Sequence, residues 1–142
     1  MRRLQQLITH DPTQGRYGDC WRTCIAMILD YESPIDVPHF AEMSLSGEQI
    51  DVLTNEWLSE KGFALASIVF REDEHPWDWM KIMNPHVPMI LLGQSGIGEI
   101  NHCVVCLGGE VWHDPNGSGV VGPCIDDGDG RFWWIYMISV AP

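Results

Sequence analysis

A thiol becomes a useful nucleophile when its proton is easily lost, and the first turn of a helix favours that loss through the partial positive charge of its unpaired amides. Cys20 has the sequence setting for this. It follows Asp19, a residue of the N-cap type, and opens the run Cys20-Trp21-Arg22-Thr23-Cys24-Ile25-Ala26-Met27-Ile28-Leu29-Asp30-Tyr31. Apolar or thiol side chains at 20, 24, 27, 28 and 31 recur there at three- and four-residue steps, which predicts a buried helix starting at the cysteine. Acyl chemistry through a thiol also needs an imidazole to share the proton, a group to hold that imidazole in one tautomer, and donors for the oxyanion of the tetrahedral intermediate. His102, Asp114 and Gln14 are of the types that fill these roles.

The elements that must position them follow from local pattern. After Ser33-Pro34 and Val37-Pro38 break the chain, residues 47–61 carry Ile50, Leu53, Trp57 and Leu58 at helical spacing and stop at Gly62. Strand character then dominates, over 63–70, 87–93, Asn101–Leu107, Glu110–His113 and Phe132–Val140, with a short helix at 77–83. Gly108-Gly109 reads as a two-residue hairpin loop, since both positions can take positive φ without steric cost. Pairing 107 with 110 puts His102 opposite position 115, next to Asp114. Five other histidines compete for the role of base. Of these His113 is the strongest, but as the neighbour of Asp114 it points to the opposite sheet face, whereas a base and its orienting group share one side.

With these residues in place, Gln14-Gly15-Arg16-Tyr17-Gly18-Asp19-Cys20-Trp21 resembles the papain-type segment Q-G-x-x-G-x-C-W, including the spacing from glutamine to cysteine. Asn101-His102-Cys103-Val104-Val105 resembles the strand that bears the catalytic histidine in papain-like enzymes, and Asp114-Pro115 resembles the Asp-Pro of the compact bacteriocin-leader-peptidase branch. The resemblance spans roughly the core from Gln14 to Asp114. It implies that Cys20 is the nucleophile, His102 the base and Asp114 its orienter, with the Gln14 side chain and the Cys20 amide forming an oxyanion hole. It also implies an α+β papain-like cysteine protease fold, with N-terminal helices packed on a mostly antiparallel sheet. The chain departs from papain in its shorter length, in Tyr17 where papain carries a disulfide cysteine, and in lacking an asparagine-serine-tryptophan segment.

Composition bounds the partners. The 142 residues fit one domain, residues 1–142, with no internal repeat, low-complexity tract or linker. Twenty acidic residues against eight Lys and Arg give a formal charge of −12, which repels nucleic acid and anionic lipid and leaves a protein or peptide as the expected substrate. The apolar runs are far shorter than the roughly 20 residues of a membrane span. Arg2 and Arg3 are followed by Leu4-Gln5-Gln6-Leu7-Ile8-Thr9-His10, which interrupts any signal-peptide core, so a cytoplasmic location is expected.

Five cysteines is an odd count, so at least one thiol is free of any pairing within the chain. Cys20, Cys24, Cys103 and Cys106 form two close pairs, as structural zinc requires, but positions three apart on a strand face opposite sides. Asp126-Asp127-Gly128-Asp129-Gly130 does not complete a calcium loop, because the twelfth position from Asp127 is Ile138 rather than a carboxylate. Neither a metal nor another cofactor is expected. Peptide or isopeptide hydrolysis through a thioester is the first expectation. A glutamine deamidase or transglutaminase-like enzyme on the same triad, or a non-catalytic binding or effector module on the scaffold, are the alternatives.

Overall fold

The computed structural model describes residues 1–44 and 46–142. Among the described residues four α-helices, α1 (Cys20–Ile28), α2 (Phe40–Met43), α3 (Gly47–Ser59) and α4 (Pro76–Met83), accompany six strands. The strands are β1 (Phe63–Arg71), β2 (Met89–Ser95), β3 (Asn101–Leu107), β4 (Glu110–His113), β5 (Val120–Gly122) and β6 (Phe132–Val140). They form one sheet in the order β1-β6-β2-β3-β4, with β5 added on β2, and every pairing is antiparallel. The class is therefore α+β. Among the described residues no helix is long and apolar enough to cross a membrane.

Helix α1 buries Trp21, Cys24, Ile25 and Met27 against Ile90, Cys103, Val105 and Tyr136, the side chains of alternate positions on β2, β3 and β6. The intervening positions, Met89, Leu91, Val104, Cys106, Trp133 and Ile135, face the other way and pack with Met80 of α4. Cover on both faces explains why β2 and β3 read as near-continuous apolar runs rather than as alternating strands. Cys103 and Cys106 thus lie in separate cores, and all five thiols are free.

The helix ends have local causes. Ser46 accepts a hydrogen bond from the Gln49 amide at the start of α3. Helix α1 stops before Tyr31 because Asp30 adopts φ +60°, with Tyr31 N–H bonding the Ala26 carbonyl at 2.8 Å and Asp30 N–H the Met27 carbonyl at 3.2 Å. That is a Schellman closure, in which glycine is the usual left-handed residue. Trp21 Nε1–H donates to Thr54 Oγ1 at 2.9 Å in the interior and ties α1 to α3.

The hairpin between β3 and β4 turns on Gly108 and Gly109, at φ +66° and +82°. A Cβ on Gly109 would also lie 2.7 Å from Lys81 Cβ of α4. Strand β5 was not among the expected elements. It is three residues long and pairs with the end of β2 across a register shift.

Candidate functional site

Cys20 is the first residue of α1 and is half-buried at the wall of a cavity of about 210 Å³, which Gln6, Trp21, His102, Cys103 and Asn116 also line. The residue before it does not cap the helix. The buried Asp19 carboxylate instead accepts from the Leu7 and Ile8 amides at 3.0 and 2.9 Å and from Arg22 Nε at 3.0 Å. Asp19 therefore pins the N-terminal segment to the site. With no side-chain cap on α1, its first-turn amides keep their donors for an anion beside Cys20. Gly18 is required on the approach, since a Cβ there would lie 2.9 Å from His10 Cβ, and its amide donates to His10 Nδ1 at 3.1 Å.

His102 is the second residue of β3, paired with Gly93 of β2, and is buried. Its Nε2–H donates to Asp114 Oδ1 at 2.6 Å. Asp114 is itself held by the Asn116 amide on Oδ1 at 3.1 Å and the Gly119 amide on Oδ2 at 2.7 Å, so the carboxylate that orients the ring is fixed from the far side as well.

The register that allows this pair differs from simple hairpin counting. Leu107 pairs with Glu110 and Cys106 with Val111, but Val105 pairs with His113, so Trp112 is an extra residue in β4. Without that bulge Asp114 would continue opposite Cys103 and point away from the imidazole. With it, the next position opposite Val104 falls to Asp114, on the face His102 uses. His113 then shares the face of Val105, and its Nε2 bonds the Leu4 carbonyl at 3.0 Å.

Electrostatics follow the geometry. The Cys20 thiol is held well below its ordinary value first by a hydrogen bond from Cys103, against the opposing effect of burial, and then by the hydrogen bond and charge of His102. Burial pulls the His102 imidazolium down, but hydrogen bonds and charges from Cys20 and Asp114 outweigh it and leave the ring above the usual histidine value. Burial likewise raises Asp114, yet the bonds from His102, Asn116 and Gly119 overcome it and keep the carboxyl low. Cys103 moves the other way. Its bond to Cys20 and its burial push it well above the ordinary thiol, so it stays protonated and serves as a donor to the Cys20 thiolate. Sequence reasoning missed this role because strand alternation turns Cys103 away from the face of His102. Burial also raises Cys24, one helical turn along, which makes it a core thiol.

Gln14 is placed differently from the expectation. Asp11 and Arg16 pair in a small backbone bridge that leaves Gln14 exposed near its tip, with Oε1 accepting from Arg16 Nη2 at 2.9 Å. It is not among the residues lining the cavity. Gln6 is. Its Nε2 donates to the Ile8 carbonyl at 2.8 Å, and its buried Oε1 has no hydrogen-bond partner among the described residues. Nothing in the sequence motif pointed to Gln6, which reaches the cavity because Asp19 fastens the adjoining backbone. Comparison of the chain with protein-family models, with curated proteins and with solved structures finds no match in any of the three.

Proposed function

We propose that the chain is a cysteine hydrolase that cleaves a peptide or isopeptide amide through a thioester, on a papain-like fold. The observation that carries this reading is His102, held by Asp114 at 2.6 Å and lining the same cavity as Cys20 at the start of α1. The helix-first, sheet-later order and the antiparallel sheet support the fold assignment.

Because Nε2 of His102 is engaged by Asp114, Nδ1 is the nitrogen left to exchange a proton with Cys20. The resting state is a thiolate beside an imidazolium. Attack of the Cys20 sulfur on the carbonyl carbon forms the C–S bond and moves the carbonyl π electrons onto oxygen, where the first-turn amides of α1, including that of Cys20, are the donors. His102 then gives its proton to the leaving amine as the C–N bond breaks. In the second half His102 takes a proton from water, the hydroxide attacks the thioester, and the thiolate departs.

The direct test is intact-mass analysis of acid-quenched mixtures of the protein with peptide p-nitrophenyl esters. A stoichiometric acyl adduct mapping to Cys20, absent in Cys20→Ala and slowed in His102→Ala, is the expected result. An unmodified Cys20, or an adduct that forms equally without His102, contradicts the proposal. With protein substrates, fragments indicate hydrolysis, whereas a gain of about one dalton indicates deamidation by the same thioester chemistry.

A further inference from the structure

A second and larger cavity, of about 820 Å³, adjoins the one at Cys20. The two have Gly47, Asp51, Leu92, Asn101 and Tyr136 in common, so they adjoin where the start of α3 faces β2 and β6. One wall is the start of α3, with Glu48 and Asp51, and the other is the loop carrying Asp127 and Asp129. Between them Phe132, Trp134 and Tyr136 project from alternate positions of β6, and the Trp134 and Tyr136 rings stack at 6.3 Å with an interplanar angle of 16°.

Four carboxylates alone would be a solvated acidic face. What sets these apart is that they edge an aromatic floor in a cavity open to the candidate nucleophile. Among the described residues no Lys or Arg lines either cavity, and none of the four makes an ion pair. Arg131, close by in sequence, is turned away to Gln94 Oε1 and the Pro123 and Cys124 carbonyls. Burial raises the Asp51 carboxyl, and the Tyr136 hydroxyl donates to its Oδ2 at 3.4 Å, so a neighbouring cation would favour its charged form.

We infer that this groove binds a basic side chain of the peptide substrate, Arg above all, next to the bond held at Cys20. A guanidinium can lie flat on Trp134 while its N–H groups reach the carboxylates on either wall, and an extended peptide entering the Cys20 cavity places a neighbouring residue there. An acidic residue would meet only like charge, and a neutral one would leave the carboxylates unpaired. The inference deepens the hydrolase reading by giving that site a substrate class.

Binding can be measured apart from catalysis with the full chain carrying Cys20→Ala. The probes are acetylated, amidated alanine hexapeptides with a single Arg, norleucine or Glu at each position in turn, followed by calorimetry. At one position Arg is expected to bind about tenfold more tightly than norleucine, with Glu weakest. Combined Glu48→Gln, Asp127→Asn and Asp129→Asn substitution should reduce the Arg advantage to about twofold or less, with circular dichroism verifying the fold. In the unsubstituted groove, added sodium chloride should weaken the Arg peptide and leave the norleucine peptide unchanged, a reading that needs no groove variant. Equal affinities for Arg and norleucine at every position, or an Arg advantage indifferent both to salt and to the triple substitution, would overturn the inference. If the Arg preference holds while Cys20 of the native protein is unreactive, the groove stands as a cation site and the hydrolase reading falls.

Discussion

At the scale of single residues, the site depends on which groups keep their protons. A lowered Cys20 and a raised His102 define a pH window in which the pair is thiolate and imidazolium together. Reactivity should therefore set in below the ordinary thiol range and fade only as His102 loses its proton. Asp114→Asn retains an acceptor for Nε2–H but removes the charge that helps to raise His102, so the alkaline limb of the pH–rate profile should move to lower pH. Asp114→Ala, with no acceptor left, should cut kcat on the order of 10²-fold, measured on the same substrate. Cys103→Ala removes the donor to the thiolate. Alkylation of Cys20 at pH 6 should then slow roughly tenfold while its rate at pH 9 changes little, and equal slowing at both values would argue that Cys103 acts only through packing. Gln14 provides the contrast. Loss of an oxyanion-hole donor costs about 10²–10³ in kcat, whereas Gln14→Ala, exposed beside Arg16, should cost less than about tenfold.

At the scale of elements, the helix that opens at Cys20, the β3 and β4 strands and the Gly108-Gly109 turn were all legible, because each has a short-range signal in periodicity or turn chemistry. What decided the geometry was less visible. The bulge at Trp112 adds one residue to β4, and an inserted residue leaves no mark in an apolar pattern only four residues long. Deleting Trp112 should return Asp114 to the opposite face, and NMR titration should then place His102 lower than in the wild type. The place of Gln14 depends on the Asp11–Arg16 bridge, and that of Gln6 on Asp19, both of them loop contacts with no periodic signature. Asp19 looked like a helix cap, but its carboxylate is used for the N-terminal backbone. Asp19→Ala should accordingly destabilise the fold by about 2–4 kcal/mol in urea denaturation, since it strands two amides and a half-buried Arg22. Asp30→Gly should stabilise by up to about 1 kcal/mol by relieving the left-handed conformation that closes α1.

At the scale of the whole molecule, two buried faces hold the sheet between α1 and α3 on one side and α4 on the other, and the site sits where the start of α1 meets the start of β3. The net charge of −12 was legible from composition, but the gathering of four acidic residues around an aromatic groove needed the fold, because Glu48 and Asp51 come from a segment some 80 residues from Asp127 and Asp129. In the proposed mechanism Cys20 and His102 form a reactive ion pair. The pH dependence of iodoacetamide labelling, located by peptide mass spectrometry in the wild type and in His102→Ala, reads out that pair. Preferential labelling of Cys20 at pH 6, with that reactivity lost in His102→Ala, is expected. A Cys20 that is inert, or that titrates as an ordinary thiol whether or not His102 is present, would contradict it.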